Sequence, residues 1–253
     1  MNLALRFLGV GTAQAVELGS SNAVLERDSS PLLMIDCGPE GLTAYRAHYG
    51  TLPDAVFITH AHLDHVGGLE RLFYASYFDP QRRGRVRLYV PANLVPVLQA
   101  RLASYPDAIA EGGANFWDGF QLVPVGRGFW HRELWFDVFA VRHHAPGTAF
   151  GIALHGAVIW TGDTRPIPEV LEHYGTGAEL VAHDCGLIPN PSHTGLADLE
   201  REYSASLRER LLLYHYPSED AAMEMRRQGY RTASPGQCIE LPAHERPVHA
   251  GHG

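Results

Sequence analysis

Apolar and amphipathic stretches alternate along the whole chain. Leu3 to Val10, Asn22 to Glu26 and Pro31 to Asp36 read as three strands separated by Gly/Ser turns. Gly38 to His48 reads as a short helix, and Ala55 to Thr59 as a buried strand. From Val66 to Tyr77 the spacing becomes helical, with Leu69, Leu72, Phe73 and Ser76 on one side. Arg85 to Val90 follows as a strand and Ala92 to Ser104 as a helix. Leu134 to Val141 and Gly151 to Thr161 are expected strands flanking the loop His143-His144-Ala145-Pro146-Gly147. Glu179 to His183 and Leu211 to His215 are further strands, with a charged helix from Leu196 to Glu209 between them. Ser218 is placed to cap a last helix that runs to Gln228.

Each half of the chain thus carries strands followed by helices, with no sharp linker and no short-period repeat. The pattern predicts an α/β protein of two sheets packed face to face with helices outside, a four-layer αββα sandwich. A single domain is expected over residues 1–241, and a disordered Pro/Gly-rich tail over 242–253.

Composition narrows the function classes. Of the 253 residues 45% are apolar and 19% charged, as in an ordinary soluble protein. No apolar run approaches the roughly 20 residues that span a bilayer, so no membrane partner is expected. Met1 to Leu8 reads directly as a strand, without the features of a signal peptide, which points to the cytoplasm. The net charge of −8 argues against a general nucleic-acid binder. One dense basic cluster stands out, Arg82-Arg83-Gly84-Arg85 with Arg87 close behind, and a solvated turn before a strand accounts for it. Three cysteines, Cys37, Cys185 and Cys238, form no C-x-x-C and cannot all pair, so a disulfide framework is not expected. The unusual count is 15 histidines.

The chemistry concentrates in Thr59-His60-Ala61-His62-Leu63-Asp64-His65-Val66-Gly67-Gly68. His60 and His62 alternate by two at the end of a buried strand, which puts both side chains on one side. Asp64 and His65 follow where the chain turns, and Gly67-Gly68 would permit a sharp turn into the next helix. Four imidazole and carboxylate groups converging in one short loop form a donor set that suits zinc, with manganese or iron as alternatives. Other candidates also end strand-like runs: His143 and His144, Asp163 and His215. An ionised Asp just past a buried strand is costly unless something cationic compensates. The competing reading of Asp163 is a cap for the helix after Pro166.

These residues resemble the metallo-β-lactamase fold superfamily, whose H-x-H-x-D-H signature is present as His60, His62, Asp64 and His65. Gly162-Asp163-Thr164 is similar to its bridging-aspartate segment, and Leu213-Tyr214-His215-Tyr216 to its final metal-histidine segment. Leu8-Gly9-Val10-Gly11-Thr12 with Gly19-Ser20-Ser21-Asn22 is similar to the branch holding RNase Z and cyclic-nucleotide phosphodiesterases. The resemblance implies two divalent metal ions, one on His60, His62 and a histidine of the Pro146 loop, the other on Asp64, His65 and His215, with Asp163 bridging. Adjacent residues of a strand face opposite ways, so only one of His143 and His144 reaches the metal. The spacing to Phe150-Gly151 favours His144 and leaves His143 as the alternative.

The resemblance also implies a mechanism. A water between two cations loses its proton near neutral pH and attacks a phosphoester. His193 or His183 would protonate the leaving oxygen, and Asp64 would serve mainly as a ligand at the catalytic centre. Where RNase Z has His-Glu-Ala-Thr this chain has His183-Asp184-Cys185-Gly186, and it lacks that enzyme's long basic arm. A small or cyclic nucleotide or another small phosphodiester is therefore expected as substrate before RNA. Hydrolysis of an ester, thioester or lactone on the same metals is the first alternative, and an iron-dependent redox or O2-using protein the second. Ser76-Tyr77-Phe78 and Phe116-Trp117 are candidates for a substrate mouth or a homodimer contact.

Overall fold

The computed structural model describes residues 2–104, 110 and 112–242. The expected tail therefore lies, from residue 243 onward, outside the described residues. The chain begins with β1 (Leu3–Gly9), β2 (Asn22–Arg27) and β3 (Ser30–Ile35), then helix α1 (Gly41–Tyr49) and β4 (Ala55–Phe57). The short α2 (Leu63–Val66) and then α3 (Leu69–Tyr77) lead to β5 (Val86–Pro91), α4 (Val95–Leu98) and β6 (Phe120–Val125). The second half holds β7 (Gly128–His131), β8 (Leu134–Ala140), β9 (Phe150–Leu154), β10 (Val158–Trp160), α5 (Pro168–Tyr174) and β11 (Leu180–Asp184). It closes with α6 (Leu196–Glu202), α7 (Ala205–Arg208), β12 (Leu211–Tyr214), α8 (Glu219–Arg227) and β13 (Cys238–Glu240).

The strands form a seven-stranded sheet in the order β13-β1-β2-β3-β4-β5-β6 and a six-stranded sheet in the order β12-β11-β10-β9-β8-β7. Strands β3 to β6 are mutually parallel, as are β10 to β12, so each sheet has an end where several strand C-termini collect. Strand alternation divides the first sheet between two cores. Leu33, Ile35 and Phe57 join Phe129, Phe136 and Trp160 of the second sheet, while Met34, Val56 and Ile58 pack on Leu42, Leu69 and Phe73 of the helices. This is the expected four-layer αββα sandwich. No described helix is long and apolar enough to cross a membrane.

The structure differs from the sequence pattern in places with local causes. The stretch from Gly151 to Thr161 is two antiparallel strands, because the chain turns at Gly156, whose φ is +76°. The charged segment from Leu196 to Glu209 is two helices, since Ser204 interrupts it and caps the second through its hydroxyl to Leu207 N–H. Ala92 to Ser104 is a 3-10 turn, one α-turn and a π-turn in succession. Ser76 and Phe116 lie in the core, Phe116 stacked on Phe73, whereas Phe78 remains 53% exposed. Cys37 and Cys185 are buried free thiols, and burial pushes both thiols up out of the reactive range.

Candidate metal centre

Every group at the site follows the C-terminal end of a strand. His60 lies just past β4, pinned by a bridge to Ala149, and His62 stands immediately before α2, which carries Asp64 and His65. Gly67 and Gly68 are needed here, though not for a left-handed turn: their φ values are −63° and −82°. What they supply is close approach, because a Cβ on Gly68 would stand 2.5 Å from the Gly38 carbonyl oxygen. Gly162, by contrast, does adopt a left-handed φ of +64°, and it delivers Asp163 from the end of β10. His215 follows β12, and its own φ is +62°.

Two four-donor sets result, beside a smaller group of Asp184, His193 and His215. His60, His62, His143 and Asp163 form one, and Asp64, His65, His215 and the same Asp163 form the other, with the donor atoms of each set within 4.8 Å of one another. Asp163 Oδ2 lies 3.7 Å from His60 Nε2, 3.3 Å from His65 Nε2, 3.2 Å from His215 Nε2 and 3.9 Å from His143 Nε2. Asp64 Oδ2 lies 3.5 Å from His65 Nε2 and 3.6 Å from His215 Nε2. His62 Nδ1 and His143 Nε2 are 3.2 Å apart.

The geometry corrects one expected ligand. His143 is 2% exposed and joins the cluster, whereas His144 is exposed, lies 3.5 Å from Ser192 Oγ and has its ring beside that of His62 but belongs to neither four-donor set. The alternation of β8 continues past its end: Phe139, Val141 and His143 are buried while Ala140, Arg142 and His144 are exposed. The parity of Arg142 was the available signal. The proton-donor role suggested for His183 is likewise not met. His183 is fully buried, with Nδ1 against the Asp184 carbonyl oxygen at 2.6 Å and Nε2 against Tyr203 Oη at 2.7 Å, so both ring nitrogens are engaged away from the cluster.

Two carboxylates that the sequence did not single out support the donors. Asp36, at the end of β3, accepts Thr59 N–H and Thr59 O–H at 2.7 Å each, and its Oδ2 lies 2.8 Å from His65 Nδ1. Asp184, next to His183 and on the opposite face of β11, has Oδ2 2.8 Å from His193 Nδ1 and 2.9 Å from Thr164 N–H. Its Oδ1 lies 3.5 Å from His215 Nδ1. A carboxylate on the far nitrogen of a ligating histidine fixes which nitrogen faces the metal. Asp36→Asn is therefore expected to lower zinc affinity by about 10–100-fold, with little change in circular dichroism. Competition with a chromophoric chelator measures this, and unchanged affinity would remove Asp36 from its supporting role.

Charge within the cluster is balanced but unsatisfied. Burial holds the His60 imidazole well below its ordinary range and that of His143 down to about 4, so both offer neutral lone pairs. Burial alone would raise the Asp163 carboxyl, yet His215 and His65 pull it well below the usual range. Against burial, Asp163 pushes His65 well up, and Asp163 with Asp184 and Asp64 pushes His215 up to about 10. His60 Nε2, His65 Nε2, His215 Nε2 and Asp163 Oδ1 are all buried without a hydrogen-bond partner among the described residues. Unpaired groups of this kind cost about 1–3 kcal/mol each. Their convergence on two small volumes fits divalent cations, and the mixed nitrogen and oxygen set suits zinc, manganese or iron.

A protein family described as anti-Pycsar protein Apyc1 matches residues 3–239. An anti-Pycsar protein Apyc1 from Paenibacillus xerothermodurans is 29% identical over 231 residues, covering 87% of this chain and 90% of that protein. Another, from Bacillus phage 010DV004, is 29% identical over 233 residues, covering 84% and 88%. Among solved structures, a diphosphatase of the PhnP family superposes with a TM-score of 0.76 at 19% identity, covering 96% of this chain and 99% of that one. With its fold that of the metallo-β-lactamase superfamily and the family match spanning nearly its full length, the chain belongs to the Apyc1 family of anti-Pycsar proteins.

Proposed function

We propose that the protein is a two-metal phosphodiesterase acting on a small phosphodiester, with a cyclic nucleotide as the favoured class. The chain is a metal-dependent hydrolase, and the carrying observation is the pair of four-donor sets that share Asp163. His60, His62, His143 and Asp163 would hold one ion, and Asp64, His65, His215 and Asp163 the other. Bound there, divalent cations supply Lewis acidity toward a phosphoryl group and acidify water toward neutrality.

The chain's own residues supply the rest. Asp36 and Asp184 orient His65 and His215 from behind. His193 is the proton donor of this reading. Its side chain is 25% exposed, its ring lies against those of His143 and His215, and Nδ1 is engaged by Asp184, which leaves Nε2 for the leaving oxygen. Burial would lower the His193 imidazole, but Asp184 raises it above its ordinary value, the direction that suits a proton donor. The cleft that meets the cluster holds about 450 Å³ and is lined by His62, Leu63, Asp64 and Arg101. That volume takes a small ligand, which favours a mononucleotide over a folded RNA.

Zinc- or manganese-supplemented protein is expected to carry about two ions per chain and to hydrolyse bis-p-nitrophenyl phosphate and cyclic mononucleotides. Elemental analysis and a phosphodiester panel that includes tRNA precursors and chromogenic esters measure both. Two metals with turnover confined to carboxylic esters would overturn the phosphodiester reading and keep the metal centre. A protein that takes up no metal on titration would overturn both.

A further inference from the structure

A cavity larger than the cleft at the metal-ligand cluster lies elsewhere in the fold. A cleft of about 840 Å³ opens where β4, β5 and β6 begin, at the opposite end of the first sheet. Along β4 the path from Ala55, which lines it, to Thr59 beside Asp36 is roughly 13 Å at the usual strand rise. The cleft is thus separate from the proposed reaction centre.

Its lining is strongly cationic in a chain of net charge −8: Arg82, Arg85, Arg87 and Arg132 face it, with Asp54 as the one acid. Asp54 engages Arg82, whose Nη2 also donates to the Pro53 carbonyl, and this holds Arg82 Nε buried without a partner. Arg87 Nε donates to Gln121 Oε1, at 3.2 Å. Arg85 and Arg132 have no ion-pair partner among the described residues. Tyr45, only 3% exposed, also lines the cleft. Pro31 and Leu52 add apolar surface. A solvated turn accounts for one or two arginines along a strand edge. It does not account for Arg132, from the separate turn after β7, joining Arg82, Arg85 and Arg87 around one cavity.

We propose that this cleft is a second binding site, for a phosphate-bearing small molecule about the size of a mononucleotide. Guanidinium groups match phosphate oxygens in geometry and hold their charge at any working pH. A cavity of this volume lies in the range of small-ligand sites. The excess of three positive charges complements a phosphomonoester dianion, and the apolar lining offers a surface for the remainder of the molecule.

The test is equilibrium dialysis of 5′-AMP, and separately of inorganic phosphate, against the metal-loaded protein and an Arg85→Ala/Arg132→Ala variant. Both arginines are exposed and unpaired, so the variant should fold, which circular dichroism checks. The expected result is a binding component weakened on the order of tenfold or more in the variant, with bis-p-nitrophenyl phosphate turnover unchanged. Arginine-dependent binding of inorganic phosphate as tight as that of 5′-AMP supports the site and assigns its recognition to the phosphate. Equal binding of 5′-AMP and phosphate by parent and variant overturns the proposal. So does arginine-dependent capture of a single-stranded oligonucleotide without binding of 5′-AMP or phosphate, which would make the face a nucleic-acid surface.

Discussion

Asp163→Ala is expected to cut turnover of bis-p-nitrophenyl phosphate by about 100-fold or more while the fold persists. Asp163 is 1% exposed and is the one residue common to both donor sets, so its loss disturbs both together. It also leaves His65 and His215, whose Nε2 atoms lie 3.3 and 3.2 Å from its carboxylate, without that group between them. The alternative role as a helix cap has no geometric support: the residue preceding α5 is Ile167, and no side chain caps that helix. Activity, circular dichroism and metal content should be measured on one sample. A variant that keeps two metals and near-parental turnover, with only a lower melting temperature, would take Asp163 out of the centre.

His143→Ala is expected to lose activity on the order of 100-fold and about one equivalent of metal, whereas His144→Ala stays within about twofold of the parent. His143 Nδ1–H donates to the Ser192 carbonyl at 3.0 Å, which aims Nε2 at the cluster. His144 is exposed and belongs to neither four-donor set, so its truncation removes little. Parallel metal analysis and turnover of the two variants decide the matter. If His144→Ala is the inactive one, the loop must sit differently when metal is bound, and the first donor set must be redrawn.

The donors of the first loop were legible because two periodicities meet there. A strand ends with His60 and His62 in alternation, and a turn follows with Asp64 and His65. Asp163 and His215 were legible as polar residues directly after apolar runs. The His143/His144 choice went the other way because spacing to the next strand was weighed above the parity of Val141 and Arg142. Asp36 was hidden in plain view: it reads as the ordinary polar end of β3, and its value appears only when Thr59 and His65, more than 20 residues later, fold against it. Asp184 was passed over for its neighbour for the same reason that His143 was, since one step along a strand reverses the face. In the fold, the edge elements were hardest to see. Strands β7 and β13 each pair on one side only and are four and three residues long, too short for alternation to register.

The donor sets have a consequence for folding. His60, His62, Asp64 and His65 come from the end of the first sheet, while His143, Asp163 and His215 come from the second, and each set contains members of both. Neither four-donor set is complete within one half of the chain, so tight cation binding to them would select the closed sandwich over any form in which the sheets have parted. A ligand that recognises only the assembled state adds its binding free energy to that state, about 2.7 kcal/mol when present at 100 times its dissociation constant. Against a net stability of roughly 5–15 kcal/mol for a typical domain, that is a substantial share. Cations bound there would act as a clasp between the two sheets, and metal supply would govern how long the sandwich stays shut.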